Sequence, residues 1–210
     1  PHPPPRDRRQ RQMCIRDRPI VAYGSPVLRK ETEEIEEGSD INELISNMFD
    51  TMYASSGVGL AGPQIGESLR IFIVDASPFS EPEEGEKASK EQLRLKDFKK
   101  VFINPIIEAE IGKEWPFSEG CLSIPGIREE VIRKPTVRIS YFDENWTLHE
   151  ETFEGIAARI IQHEYDHVEG VLFTDHLNPF KRRLLKRKLD DISKGIVDID
   201  YKMKFPKLKR

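Results

Sequence analysis

Residues 155–168 restrict the fold of this chain more than any other stretch. Ile156, Ile160, His163 and His167 recur at spacings of four, three and four, which makes one stripe along a helix. The stripe begins apolar and ends in two imidazoles. A helix that buries its isoleucines there must bury the histidines too. A buried imidazole without a polar partner costs free energy, so the fold has to bring partners to this helix. Two histidines four apart lie one turn from each other on nearly the same face, so both rings can close on a single cation. Glu164 sits beside such an ion without being forced to ligate it, where a general base for an attacking water belongs. The alternative, two ordinary core or surface histidines, leaves both rings in search of other partners.

An open catalytic metal site has three protein ligands and a free position. Six residues beyond His167, where a metzincin would carry its third histidine, stands Phe173. His176 lies nine residues on, near the start of the next helix, and no downstream Glu is a strong candidate. Cys121, in Ser118-Glu119-Gly120-Cys121-Leu122-Ser123, reads as a turn residue between β segments. Taken alone it is an inert core thiol. Beside an unfilled metal site it becomes a thiolate ligand.

Composition narrows the function classes. The 210 residues are long enough for one domain with a real core. Two cysteines exclude a disulfide scaffold and favour a reducing compartment. No apolar run is long enough to span a membrane, and the first residues lack the apolar core of a secretory signal. The net charge of −4 is unevenly spread. Residues 1–18 carry six Arg against two Asp, and residues 181–210 carry twelve basic against four acidic side chains. The stretch between is strongly acidic, so the basic tail is expected to have a separate task.

Three segments follow: 1–18, Pro- and Arg-rich and foreign to the fold or unstructured; 19–180, a catalytic domain; and 181–210, a basic helix and tail. Ile41, Leu44, Ile45, Met48, Phe49 and Met52 predict a helix, with Asp40 and Glu43 as its capping box. Four Gly and one Pro within 57–66 exclude a regular helix there. Strands are expected at 70–74, 101–104, 106–111, 129–133, 136–142 and 147–153, with 76–100 a polar, mobile insertion. A second helix runs from Gly155 to Val168 and ends at Gly170. A third begins at Asn178 as N-cap with Pro179 in its first turn and reaches Gly195. The fold class is α+β, with mostly antiparallel strands around a central metal-bearing helix and a C-terminal helix.

Three motifs stand in order: G-V-G-L-A-G-P-Q (57–64), E-G-C-L-S (119–123) and Q-H-E-Y-D-H (162–167). Together with P-I-V-A-Y-G-S-P-V-L-R (19–29) and G-V-L-F (170–173), they closely resemble the peptide deformylases, and E-G-C-L-S-I-P resembles the Gram-negative-type branch. The resemblance spans about 19–180. It departs from the family at Gly62, where Ala is usual, at the charged 76–100 insertion and at 1–18.

The resemblance implies a metal-dependent hydrolase that removes the formyl group from N-terminal formyl-methionine of new polypeptides. It implies Cys121, His163 and His167 as ligands, ferrous iron as the ion, with nickel, cobalt or zinc as substitutes, and Glu164 as acid and base. The Gln64 amide and the Leu122 N–H would bind the oxyanion, and Gly59 would hydrogen-bond an extended peptide. Val58, Phe117, Ile156 and Ile160 are candidates for the methionine pocket, each also readable as plain core, and Arg128 for a contact to the substrate backbone. Asp166 is expected to pair with Arg133 and brace the second helix. A cytoplasmic monomer is expected, without a membrane partner. Lys181, Arg182, Arg183, Lys186, Arg187 and Lys188 are read as a contact for a polyanion, ribosomal RNA near the peptide exit; the plainer reading is a solvated basic face. Two rival functions remain: a metallopeptidase with the same H-E-x-x-H chemistry, opposed by the missing third ligand of the zincin patterns, and a binding module without activity, opposed by the presence of Gln64, Cys121 and Glu164 together.

Overall fold

Strand β3 (Ile71–Asp75) is buried along its whole length, and its alternation sorts the core. The computed structural model describes residues 18–82 and 87–207. Phe72 and Val74 join one apolar cluster, and Ile71 and Ile73 join another on the opposite face. A strand covered on both faces reads as a continuous apolar run rather than an alternating one. One cover is α1 (Asn42–Ala54), through Ile45, Met48 and Met52. The other is α3 (Gly155–Val168), through Ala157, Ala158, Ile160 and Ile161.

The sheet has five strands in the order β2-β3-β4-β7-β8, all neighbours antiparallel. Its other members are β2 (Gly59–Ala61), β4 (Lys99–Ile111), β7 (Thr136–Phe142) and β8 (Leu148–Glu154). A hairpin of β5 (Trp115–Cys121) and β6 (Ile124–Arg133) approaches α3 from outside the sheet. The short β1 (Ile20–Val21) pairs in parallel with β9 (Met203–Lys204). The fold is α+β, with strands around a central helix, as expected.

Several local expectations give way. Asp40 and Glu43 form no capping box. Ile41 is the N-cap, and the Asp40 carboxylate takes the N–H of Asn42 two residues on. Short Asp side chains compete for nearby backbone donors in this way. Residues 101–104 and 106–111 are not separate strands, and Pro105 does not divide them. It sits in a register shift within β4, after Asn104, which adopts φ +49° and bonds both backbone groups of Ile35. The stretch read as a turn around Cys121 is mostly strand. In β5 half-buried and exposed residues alternate from Trp115 to Ser118, followed by buried Glu119, a pattern its Pro and Gly conceal in the sequence.

The 76–100 segment is not simply a mobile insertion. It contains α2 (Lys90–Leu95), capped reciprocally by Ser89 and Gln92 and anchored by buried Leu95; residues 83–86 lie outside the described ones. Its Glu91 carboxylate accepts the N–H of Ile156 at 2.8 Å, placing an anion at the N-terminus of α3. The 1–18 segment lies outside the described residues apart from Arg18, which pairs with Glu67. Residues beyond 180 are joined to the body. The helix α4 (Pro179–Ser193) begins at Asn178, whose side chain accepts the N–H of Lys181, and it buries Leu185, Leu189 and Ile192.

Candidate active site

Helix α3 delivers His163 and His167 from one face, with ring centroids 5.3 Å apart and planes at 80°. The last residue of β5 delivers Cys121, whose Sγ lies 3.3 Å from His167 Nε2. One donor atom from each of the three falls within 4.8 Å of the others. One soft sulfur and two imidazole nitrogens suit a first-row transition ion. His176, weighed as a third ligand, is elsewhere: its Nε2 faces Asp166 Oδ2 at 2.7 Å.

The electrostatics also favour a cation. Burial alone would raise the Cys121 thiol, but His167 and His163 outweigh it and bring it down to about 5. His163 Nδ1 donates to Glu119 Oε2 at 2.8 Å, which fixes the tautomer and leaves Nε2 toward the sulfur. Glu119 is buried and held by Arg133 at 2.8 Å and Arg159 at 3.1 Å. Burial works against its charge, yet bonds from His163 and Arg133 hold its carboxyl far below the usual range. Arg133 continues to Asp166 at 2.8 Å, so the expected brace of α3 is present.

Burial raises the Glu164 carboxyl to about 7, against the pull of the two imidazoles. Its Oε2 is buried and has no hydrogen-bond partner among the described residues. A buried carboxylate oxygen without a partner beside a ligand cluster is suited to receive a proton from a water held there. Gln64 is also buried. Its Oε1 accepts the N–H of Ala61 at 2.8 Å, which turns the amide NH₂ toward Cys121 Sγ at 3.5 Å. Leu122 and Ser123 make the turn between β5 and β6, next to Cys121.

These groups open on a cavity of about 510 Å³. Gly59, Gln64, Cys121, Leu122, His163 and Glu164 line it, as do Val58, Phe117, Arg128 and Ile160. Ile156 does not. It packs half-buried against the core between α3 and the sheet, because it lies a turn further from the histidines than Ile160. Arg128 crosses Gly120 and donates to Ser118 O at 2.9 Å. Gly59 lies on β2, the edge strand of the sheet, where an extended chain can add.

Three contributors escape a reading of the sequence. Glu119 shows one usable signal: two residues before Cys121 in a strand, it projects to the same side. Arg159, 2% exposed, lies four residues before His163 and so shares its face. Nothing local in the sequence marks Tyr201, which lines the cavity from beyond α4.

Over most of its length the chain is similar to known proteins. A family model described as polypeptide deformylase matches residues 17–183. The peptide deformylase of Christiangramia forsetii is 55% identical over 193 residues, covering 91% of this chain and 97% of that protein. That of Cytophaga hutchinsonii is 52% identical over 189 residues, covering 90% and 97%. Among solved structures, a peptide deformylase from Legionella pneumophila is 38% identical with a TM-score of 0.70, covering 86% of this chain and 97% of that one. One from Thermus thermophilus is 35% identical with a TM-score of 0.72, covering 85% and 98%.

Proposed function

The chain belongs to the peptide deformylase family, and on that premise we propose the roles of the residues around its cavity. The reaction is hydrolysis of a formamide: the formyl group leaves the N-terminus of a nascent polypeptide as formate. The family is metal-dependent, and Cys121, His163 and His167 are the residues that would hold the ion. The observation that carries this assignment is their convergence within 4.8 Å beside the unpartnered Glu164 oxygen.

A divalent ion held there supplies Lewis acidity to water and to the formyl oxygen. Iron is the proposed ion, with nickel, cobalt or zinc as substitutes. Glu164 accepts the proton of the attacking water and returns it to the departing amine. Burial raises the Glu164 carboxyl and so favours its taking up a proton, and the same group then gives that proton back. The Gln64 NH₂ and the Leu122 N–H donate to the oxygen that becomes negative as the carbonyl turns tetrahedral. Donors of this kind contribute about 2.7–4 kcal/mol each. Gly59 on the open edge of β2 aligns the peptide, and Val58, Phe117 and Ile160 receive the methionine side chain. Arg128 binds the substrate backbone at the rim.

We propose that the enzyme meets its nascent-chain substrates in the cytoplasm and acts as a monomer. Among the described residues, no helix is long and apolar enough to cross a membrane. The exposed face of α4, with Arg182, Arg183, Lys186, Arg187 and Lys188, is proposed to contact ribosomal RNA. Charge reversal at Arg183, Lys186 and Arg187 should lower ribosome co-sedimentation, and unchanged co-sedimentation excludes the contact.

The experiment for the function is formate release from a formyl-Met peptide by protein loaded with iron without oxygen. Formate in step with free amine is expected. Cleavage at internal peptide bonds without formate would favour the metallopeptidase.

A further inference from the structure

Beyond α4 the chain turns back over the body, and residues 198–201 become one wall of the catalytic cavity. Nothing in the proposed chemistry uses this strap. It is fastened at its end: Ile20 N donates to Lys202 O and Ala22 N to Lys204 O, both at 2.9 Å, as β9 pairs with β1. Met203 and Phe205 pack on the cluster of α4 and the β5–β6 hairpin.

Within the strap, the Tyr201 hydroxyl donates to Leu122 O at 2.7 Å. Burial raises the pKa of the phenol, so the hydroxyl keeps the proton it donates. The next carbonyl along, Ser123 O, accepts the N–H of Tyr23 at 2.9 Å, just after β1. The segments flanking the paired strands β1 and β9 therefore each hold one carbonyl of the Leu122–Ser123 turn, through Tyr23 and Tyr201. A carbonyl held in place fixes the plane of the Leu122–Ser123 peptide. The Leu122 N–H lies in the plane before it, Cys121–Leu122, which Cys121 anchors by pairing with Ile124 at the end of β5. Leu122 is thus held between two anchored peptide planes, and Tyr201 secures the second of them.

We propose that Tyr201 is a positioning residue for deformylation: through Leu122 O it aims the Leu122 N–H at the developing oxyanion. The idea rests on the role assigned to that N–H above. An aimed donor matters when charge develops and much less when substrate binds, so the effect belongs in kcat.

Tyr201→Phe keeps the ring and removes the hydroxyl alone. The variant should keep one metal ion per chain and a KM within about twofold, while kcat falls about five- to tenfold, the rate equivalent of one neutral hydrogen bond. Amide hydrogen exchange in the zinc-loaded protein should speed up at Leu122 and not at Tyr23. If the variant melts near the assay temperature, the same comparison is made at about 10 °C on fully folded protein. A kcat within twofold of wild type, or unchanged exchange at Leu122, overturns the proposal. Failure of the underlying reading looks different: Gln64→Leu and wild type would then release formate equally fast.

Discussion

The backbone of Gly59 lies so close to the Glu164 carboxylate that a Cβ on residue 59 would stand 2.4 Å from Oε1. The edge strand that is to hold the substrate and the residue that is to move its protons are therefore in direct contact. No side chain fits between them, so Glu164 is confined on that side.

Gly59→Ala is accordingly expected to push Glu164 off its position rather than to unfold the chain. Displacement of a catalytic group by about an ångström can cost on the order of a hundredfold. We expect kcat/KM to fall by about that factor with metal content unchanged. Full activity in a variant that binds metal normally would show that Glu164 tolerates the shift.

Glu119 joins one imidazole to two guanidinium groups, so its loss leaves buried charge behind. Glu119→Gln should lower stability by about 3–5 kcal/mol, the usual cost of breaking a buried ionic cluster by one partner. The pH dependence follows from the direction of its shift. The folded carboxyl titrates below the unfolded one, so its contribution is present above about pH 4.5 and fades as pH falls toward the folded value. In metal-free protein the melting temperature should drop between about pH 4.5 and 3, and less steeply in the variant. Parallel melting curves would assign the acid response to other carboxylates.

Much of this site can be read from the chain without a structure. The histidine stripe is local: the helical period alone puts His163, His167 and Ile160 on one face, and the helix spans Gly155 to Val168 as the sequence predicts. Apart from the family resemblance of E-G-C-L-S, Cys121 is nominated only by the need for a third ligand, since spacing does not mark a partner 46 positions away. The period that places Ile160 in the pocket places Ile156 there as well. It gives a direction around the axis and not a height along it, so it cannot tell pocket from core. Tyr201 and Glu91 are out of reach, because each acts across the fold on an element far away in sequence. Local bonding also misleads at Asp40, where an Asx contact replaces a capping box that the spacing allows.

Glu91 offers a test of the 76–100 segment. Its carboxylate complements the positive end of the α3 dipole at the N-terminus, and Gly155, at φ +59°, leaves the space it occupies. Such contacts contribute about 0.3–1 kcal/mol at an exposed site. Glu91→Ala should lower the melting temperature by a few degrees and leave kcat within twofold. An unchanged melting temperature at low salt would mean that the contact carries no stability.

Cys121→Ser should lose the metal, because a hydroxyl remains protonated where the thiol gives a thiolate. Metal analysis after dialysis should give well below one ion per chain, against one for wild type. In wild type, peroxide should inactivate the iron form faster than the nickel form, since iron beside a thiolate is open to oxidation. One tightly held ion in the serine variant would contradict the ligand set.

The central claim is that Glu164 moves the protons of formamide hydrolysis and does not hold the metal. Glu164→Gln keeps the size of the side chain and removes its ability to take a proton. The decisive measurement is formate release by this variant from a formyl-Met peptide, together with its metal content. The account predicts one ion per chain and a rate at least about a hundredfold below wild type. A variant with full metal and near-normal formate release would contradict it.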